Sequence, residues 1–210
     1  MSIANLRREY LGTPLLEADA GADPLALFER WFADAREKEF DPVAMTLATA
    51  GRDGRPNARI VLLKGFDASG FVFYTNYNSR KARELAETGR AALLFFWPAH
   101  ERQVRIEGSV EKTSAAESDA YFAQRPLDSR ISVYASRQSE PVESREALDR
   151  LFADAAARFP EGHVPRPEWW GGYRVIPLAF EFWQGRVGRL HDRLRYEKQD
   201  SGWRRQRLAP

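Results

Sequence analysis

The sequence predicts an α+β protein built around an antiparallel β-barrel, with helices inserted as blocks. Three observations carry that expectation. Short apolar segments recur between turn-rich peptides from residue 44 onward and again after residue 170. Helical periodicity is confined to a first helix after Asp23-Pro24, a short one over 80–88 and a block over 114–159. The strand-then-helix alternation of a doubly wound sheet is missing, as is any internal repeat.

Asp23-Pro24 reads as an N-cap followed by proline at the first helical position, and Leu25, Phe28, Phe32 and Ala35 then repeat at helical spacing with Trp31 beside them. Strands are predicted over 44–50 and 58–66, separated by GRDGRPN, and over 71–76, which pairs back through Asp67-Ala68-Ser69-Gly70. Ser79 caps a helix over 80–88 that Gly89 ends. Residues 91–97 and 103–111 form a further strand pair. Helices follow over 114–124, 126–137 and 144–159, the last with an ordinary core stripe of Leu148, Leu151, Phe152 and Ala155. A proline-rich loop over 160–170 leads to strands over 173–183, 189–197 and 202–208.

The 210 residues are 43% hydrophobic and 12% aromatic, enough for a substantial core. The absence of cysteine excludes disulfide scaffolds, cysteine nucleophiles and Cys-ligated metals. The longest apolar run, residues 91–97, is far short of a membrane span. Charges in MSIANLRREY occupy the place of a signal peptide's apolar stretch, so a soluble cytoplasmic protein without membrane partners is expected. With 32 basic and 30 acidic residues the balance argues against a nucleic-acid partner. Residues 186–210 nevertheless hold eight basic side chains against three acidic ones, which suits something anionic nearby.

No Gly-rich phosphate loop, GxGxxG, GxSxG or HExxH occurs, and His100, His163 and His191 lack metal-ligand spacing. No metal is expected, and redox chemistry would need an organic cofactor. Four segments carry the remaining chemistry. Arg59-Ile60-Val61-Leu62-Leu63-Lys64 is an apolar strand bracketed by cations; taken alone, it reads as a buried strand with charged ends before it reads as a ligand-binding one. Side chains five apart on a regular strand face opposite sides, so a shared ligand requires a bulge or separate approaches. Tyr74-Thr75 ends a strand, and Ser79-Arg80-Lys81 opens a helix whose free N–H groups beside two cations suit a phosphate, or an ordinary capped start. Tyr121, Arg125 and Ser129 straddle Pro126 where one helix ends and another begins, which fits a second phosphate or plain solvation. In EFWQGRVGRLHDR, an extended strand would put Arg189, His191 and Arg193 on one face, where three cationic groups repel unless an anion is bound, with Trp183 just upstream.

Together these segments resemble the pyridoxine (pyridoxamine) 5′-phosphate oxidase family of FMN enzymes. The match rests on EFWQGRVGRLHDR and the terminal RRQRLAP, joined in order by RIVLLKGF, FYTNYNSRKARE, ERQVRIEG and YFAQRPLDSRISVYASRQS. It runs from Arg7-Arg8-Glu9-Tyr10 to the C-terminus. The resemblance implies a single FMN-binding split β-barrel domain over 21–210, a mobile N-terminal segment over 1–20, and a homodimer with FMN in the cleft between subunits. FMN contacts are then expected from residues 59–64 (Arg59, Ile60, Val61, Leu62, Leu63, Lys64), Tyr74, Thr75, Arg80, Lys81, Gln103, Gln138, Ser139, Trp183 and Arg193. Substrate contacts are expected from Lys64, Tyr121, Arg125, Ser129, Arg189, Leu190 and His191, with Arg7, Arg8, Glu9 and Tyr10 as a cover. Arg189 and His191 carry the catalytic expectation. The implied reaction oxidises pyridoxine and pyridoxamine 5′-phosphates to pyridoxal 5′-phosphate, with dioxygen as acceptor giving hydrogen peroxide, and ammonia from the amine. A split-barrel oxidase of another substrate, such as a phenazine-pathway enzyme, and a non-catalytic binder of FMN or pyridoxal phosphate are the alternatives.

Overall fold

The computed structural model describes residue 5 and residues 8–210. In chain order its elements are α1 (Glu17–Ala20), α2 (Pro24–Lys38), β1 (Ala44–Ala50), β2 (Pro56–Leu62), β3 (Gly65–Asp67), β4 (Gly70–Asn76) and α3 (Arg80–Thr88). Next come β5 (Arg90–Trp97), β6 (Arg102–Lys112), α4 (Ala115–Gln124), α5 (Leu127–Ala135), α6 (Arg145–Ala157), β7 (Trp170–Gln184), β8 (Asp192–Gln199) and β9 (Gly202–Arg207). The caps sit where the residues demand them. Asp23 accepts from the Leu25 N–H, Ser79 from that of Ala82, and Gly89 ends α3 in the left-handed region at φ 64°.

All strands pair antiparallel, in the order β2-β1-β5-β6-β7-β4-β3, with β8 on β7 and β9 on β8. The long β7 organises the sheet: residues 170–175 pair with β4, residues 179–184 with β8, and its other edge with β6. Pro177 falls in the gap between those two partners, where a missing N–H is tolerated. The register with β6 shifts at Glu107/Gly108, and a Cβ on Gly108 would lie 2.2 Å from the Ile176 carbonyl oxygen, so the bulge requires glycine.

The expected single strand over 58–66 is two strands. Leu63 N–H still bonds Val43 beside β1, but Lys64 N–H bonds Val72 in β4, so the chain crosses from one sheet edge to the other in one step. That crossing closes the curled sheet. It also removes the parity objection to Arg59 and Lys64, because the regular strand ends before Lys64. A second expectation fails: residues 189–191 are not strand. Val187–Arg189 form a 3-10 turn with Gly188 at φ 66° and Arg189 at φ 61°, and β8 starts at Asp192. Gly188 makes that turn possible, and with it the alternating-face argument for Arg189 and His191 lapses.

The core lies inside the curl, where Phe28 of α2 makes edge-on contacts with Phe66, Phe71 and Phe95. A smaller apolar cluster under α4, α5 and α6 contains Phe122, Ile131, Ala155 and Trp170 and holds the α4–α5 junction against the start of β7. No helix of the described residues is long and apolar enough to cross a membrane.

Candidate active site

A groove of about 620 Å³ opens where the barrel closes, lined by Arg59, Ile60, Val61, Leu62 and Lys64, by Tyr74, Thr75 and Lys81, and by Tyr121, Arg125, Ser129 and Gln138. Twelve sequence-predicted residues thus share one concavity. Gln124, Pro126 and Trp170 complete its wall. Leu63 points into the core at 4% exposure, so only its backbone is available there. Ile60 and Leu62, on the outer face of β2, remain 62% and 40% exposed and give the groove an apolar floor.

At the α3 end Lys81 is the hub. Its Nζ donates to Gln138 Oε1 at 2.7 Å, Thr75 Oγ1 at 3.3 Å and Ser79 Oγ at 3.5 Å, all neutral acceptors. Burial, aided by Arg59, pushes its pKa down to about 8. An ammonium whose hydrogen-bond acceptors are all neutral, next to a helix N-terminus, fits the phosphate of FMN. Cofactor affinity should therefore be full below about pH 8 and fall as pH rises through that value, because the neutral amine must regain its proton to hold the anion. The limiting slope is about tenfold per pH unit. FMN fluorescence titrations from neutral to alkaline pH check this, and Lys81→Met should flatten the profile.

The neighbouring cations are fixed by a residue that sequence reasoning missed. Glu84 is 6% exposed; it takes hydrogen bonds from Thr49 Oγ1 at 2.5 Å, Asn57 Nδ2 at 3.2 Å and Arg80 Nε at 2.8 Å, and it pairs with Arg59 Nη2 at 3.4 Å. Its signal was present: it stands four residues after Arg80 on one helix face. Ser139, at φ 73°, accepts from the Arg80 N–H at 3.2 Å.

At the other end Tyr74 and Tyr121 stack at 3.9 Å, Tyr74 stacks on Trp170 at 5.5 Å, and the Arg125 guanidinium lies 4.7 Å over Trp170. Arg125 Nη1 is buried with no hydrogen-bond partner, and desolvation lowers the group's pKa. A buried, unpartnered donor on a residue that lines the groove fits a second anion.

The remaining candidates lie elsewhere. Gln103, Trp183 and Arg193 form one cross-strand row, joined by Phe96, on the outer face of β5–β8. Arg193 is held by Glu181 at 2.9 Å. His191 packs 4.6 Å from Trp183, and Tyr10 stands edge-on to both at 5.4 Å. His191 Nδ1 accepts the Arg186 N–H at 3.1 Å, so the neutral ring carries its proton on Nε2; burial and Arg189 lower its pKa. Arg189 and Leu190 project outward, and Arg8 and Glu9 are exposed. Arg7 lies outside the described residues. Trp170 and Trp183 are thirteen steps apart on β7, up to about 43 Å of strand, so the two groups sit at opposite ends of one element.

Comparison with known proteins fits this division. Residues 33–155 match the sequence model of the pyridoxamine 5′-phosphate oxidase family, and residues 170–210 match that of the pyridoxine 5′-phosphate oxidase C-terminal dimerisation region. A pyridoxine/pyridoxamine 5′-phosphate oxidase of Rubrobacter xylanophilus is 58% identical, covering 99% of this chain and 96% of its own. One from Pseudomonas paraeruginosa is 55% identical over 100% and 99% of the two chains. Among solved structures, PhzG from Burkholderia lata 383, in complex with tetrahydrophenazine-1-carboxylic acid, superposes with a TM-score of 0.88 at 35% identity, covering 95% and 99%. The chain belongs to the pyridoxamine 5′-phosphate oxidase family.

Proposed function

We propose that the protein oxidises pyridoxine 5′-phosphate and pyridoxamine 5′-phosphate to pyridoxal 5′-phosphate in the cytoplasm, with FMN as cofactor and dioxygen as acceptor. The observation that carries this reading is a groove with cations at both ends that pair with no carboxylate among the described residues, Lys81 at the α3 end and Arg125 at the α4–α5 junction, with Lys64 a third in its lining. Unpaired cations at two ends of one groove call for an anion at each end, and a cofactor and a substrate that each carry a phosphate supply them. Bound FMN would supply the two-electron acceptor for a hydride from the substrate's 4′ carbon, with dioxygen as the final acceptor and hydrogen peroxide as its product.

The chain's own residues do the positioning. Lys81, Thr75, Gln138 and the Glu84-anchored Arg59 and Arg80 hold the cofactor phosphate, while Ile60 and Leu62 meet its ring. Arg125, Tyr121, Ser129 and Lys64 hold the substrate phosphate. Anchoring both molecules by their phosphates fixes the approach of their rings, which is catalysis chiefly by orientation. The protein acts as a homodimer, each site taking this groove from one protomer and the Gln103, Trp183 and Arg193 row from its partner. His191 then presents Nε2–H to the alcohol or amine, and Arg189 adds positive charge beside it.

Anaerobic addition of pyridoxine 5′-phosphate to FMN-loaded protein tests this directly. The expected result is bleaching of the flavin's visible absorbance, with colour returning on admission of air. A loaded protein that stays yellow would transfer the reading to an oxidase of another substrate, as the likeness to PhzG allows, or to a carrier. Failure to take up FMN would overturn the cofactor assignment.

A further inference from the structure

Glu101 ends the β5–β6 turn with two unusual properties: a left-handed backbone at φ 56° and a carboxylate on a residue only 9% exposed. Glycine makes such a turn without strain, so the hairpin itself gives no reason for a carboxylate there. The N-terminal segment does. Glu101 Oε2 accepts the backbone N–H groups of Leu11 at 2.7 Å and Gly12 at 2.9 Å, and Oε1 accepts Arg8 Nη2 at 3.1 Å. The Glu101 carbonyl meanwhile accepts the Gly185 N–H at 2.8 Å, at the start of the turn that carries Arg189. One residue therefore ties the strap to the turn.

The contact between them is close. A Cβ on Gly185 would lie 2.7 Å from the Tyr10 ring, and one on Gly12 would lie 2.1 Å from Gln184 Nε2. Tyr10 is thereby pressed edge-on to Trp183 and His191.

We propose that Glu101 is a positioning residue for substrate binding, clasping residues 8–12 so that Tyr10 forms the outer wall over His191. The inference rests on the reading of His191 as the group facing the substrate's reacting end. The clasp bears chiefly on substrate, because Tyr10 meets His191 as well as Trp183, whereas the groups proposed to hold the cofactor phosphate, Lys81 and Gln138, bond one another in the groove.

The test uses FMN-loaded protein carrying Glu101→Gly, which keeps the left-handed turn free of strain while deleting the carboxylate. Losing three charge-assisted hydrogen bonds should raise KM for pyridoxine 5′-phosphate about tenfold, with kcat within about twofold and FMN content unchanged. Glu101→Gln, which keeps one carbonyl oxygen for the two backbone donors, should recover most of the loss. Trypsin cleavage of the Arg8–Glu9 bond, followed by mass spectrometry, should be several times faster in Glu101→Gly and slowed by pyridoxal 5′-phosphate in the wild type. Wild-type KM and cleavage rate in Glu101→Gly would overturn the proposal, as would equal losses of FMN from both variants. Should the wild type show no turnover, the catalytic reading fails by itself and the cleavage rates still decide whether Glu101 holds the strap.

Discussion

Replacing Arg189 with alanine is expected to lower turnover about a hundredfold while leaving FMN content and the dimer intact. The expectation follows from what this side chain does not do. It is exposed and, among the described residues, makes no hydrogen bond or ion pair, so its loss opens no cavity and orphans no partner. Yet it sits at φ 61°, where a residue with a side chain is strained, on the turn that also sets His191 against Trp183. A strained, unpaired guanidinium beside a half-buried imidazole is explained by a ligand that arrives later. Arg189→Gly separates backbone from side chain, since glycine relaxes the turn and still removes the charge. Steady-state rates with pyridoxine 5′-phosphate, set against flavin absorbance per protomer, decide it. Wild-type turnover in the glycine variant would remove Arg189 from the active site.

Much of this arrangement is legible in the sequence because it depends on local chemistry. Ser79 and Gly89 bound α3, Asp23-Pro24 opens α2, and the turn over residues 67–70 joins β3 to β4, each for reasons contained within a few residues. What depends on the path of the whole sheet is not legible. Period-two reasoning sets Arg59 and Lys64 on opposite faces, whereas the barrel closes between them and both line one groove. The same reasoning sets Arg189 beside Arg193 on a strand, whereas the chain turns there at Gly188. Glu84 and Trp170 escape for a different reason. Each backs other groove residues, Glu84 the cations Arg59 and Arg80 and Trp170 the side chains of Tyr74 and Arg125, and a supporting role leaves no motif. The separation of the Lys81 groove from the Trp183 row also lies beyond local reading, since it appears only once β7 runs unbroken from Trp170 to Gln184.

Arg125→Met should raise KM for pyridoxine 5′-phosphate about a hundredfold, with FMN content unchanged, and should stabilise the protein in the absence of substrate. The two effects have one cause. In the free protein Arg125 Nη1 is buried without a partner, a condition that costs about 1 kcal/mol or more, only partly offset by the Trp170 face 4.7 Å away. Methionine keeps a flexible apolar chain against Trp170 and removes the stranded donor. What it cannot do is meet a phosphate dianion. Thermal melts should therefore show the variant at or above the wild type when free, while pyridoxal 5′-phosphate raises Tm of the wild type alone. A merely structural Arg125 would give the opposite sign, a variant less stable with or without ligand. Loss of FMN with substrate affinity retained would move Arg125 to the cofactor end of the groove. An unchanged KM would mean that the substrate phosphate is held elsewhere, and that the orphaned donor at the α4–α5 junction serves some other anion.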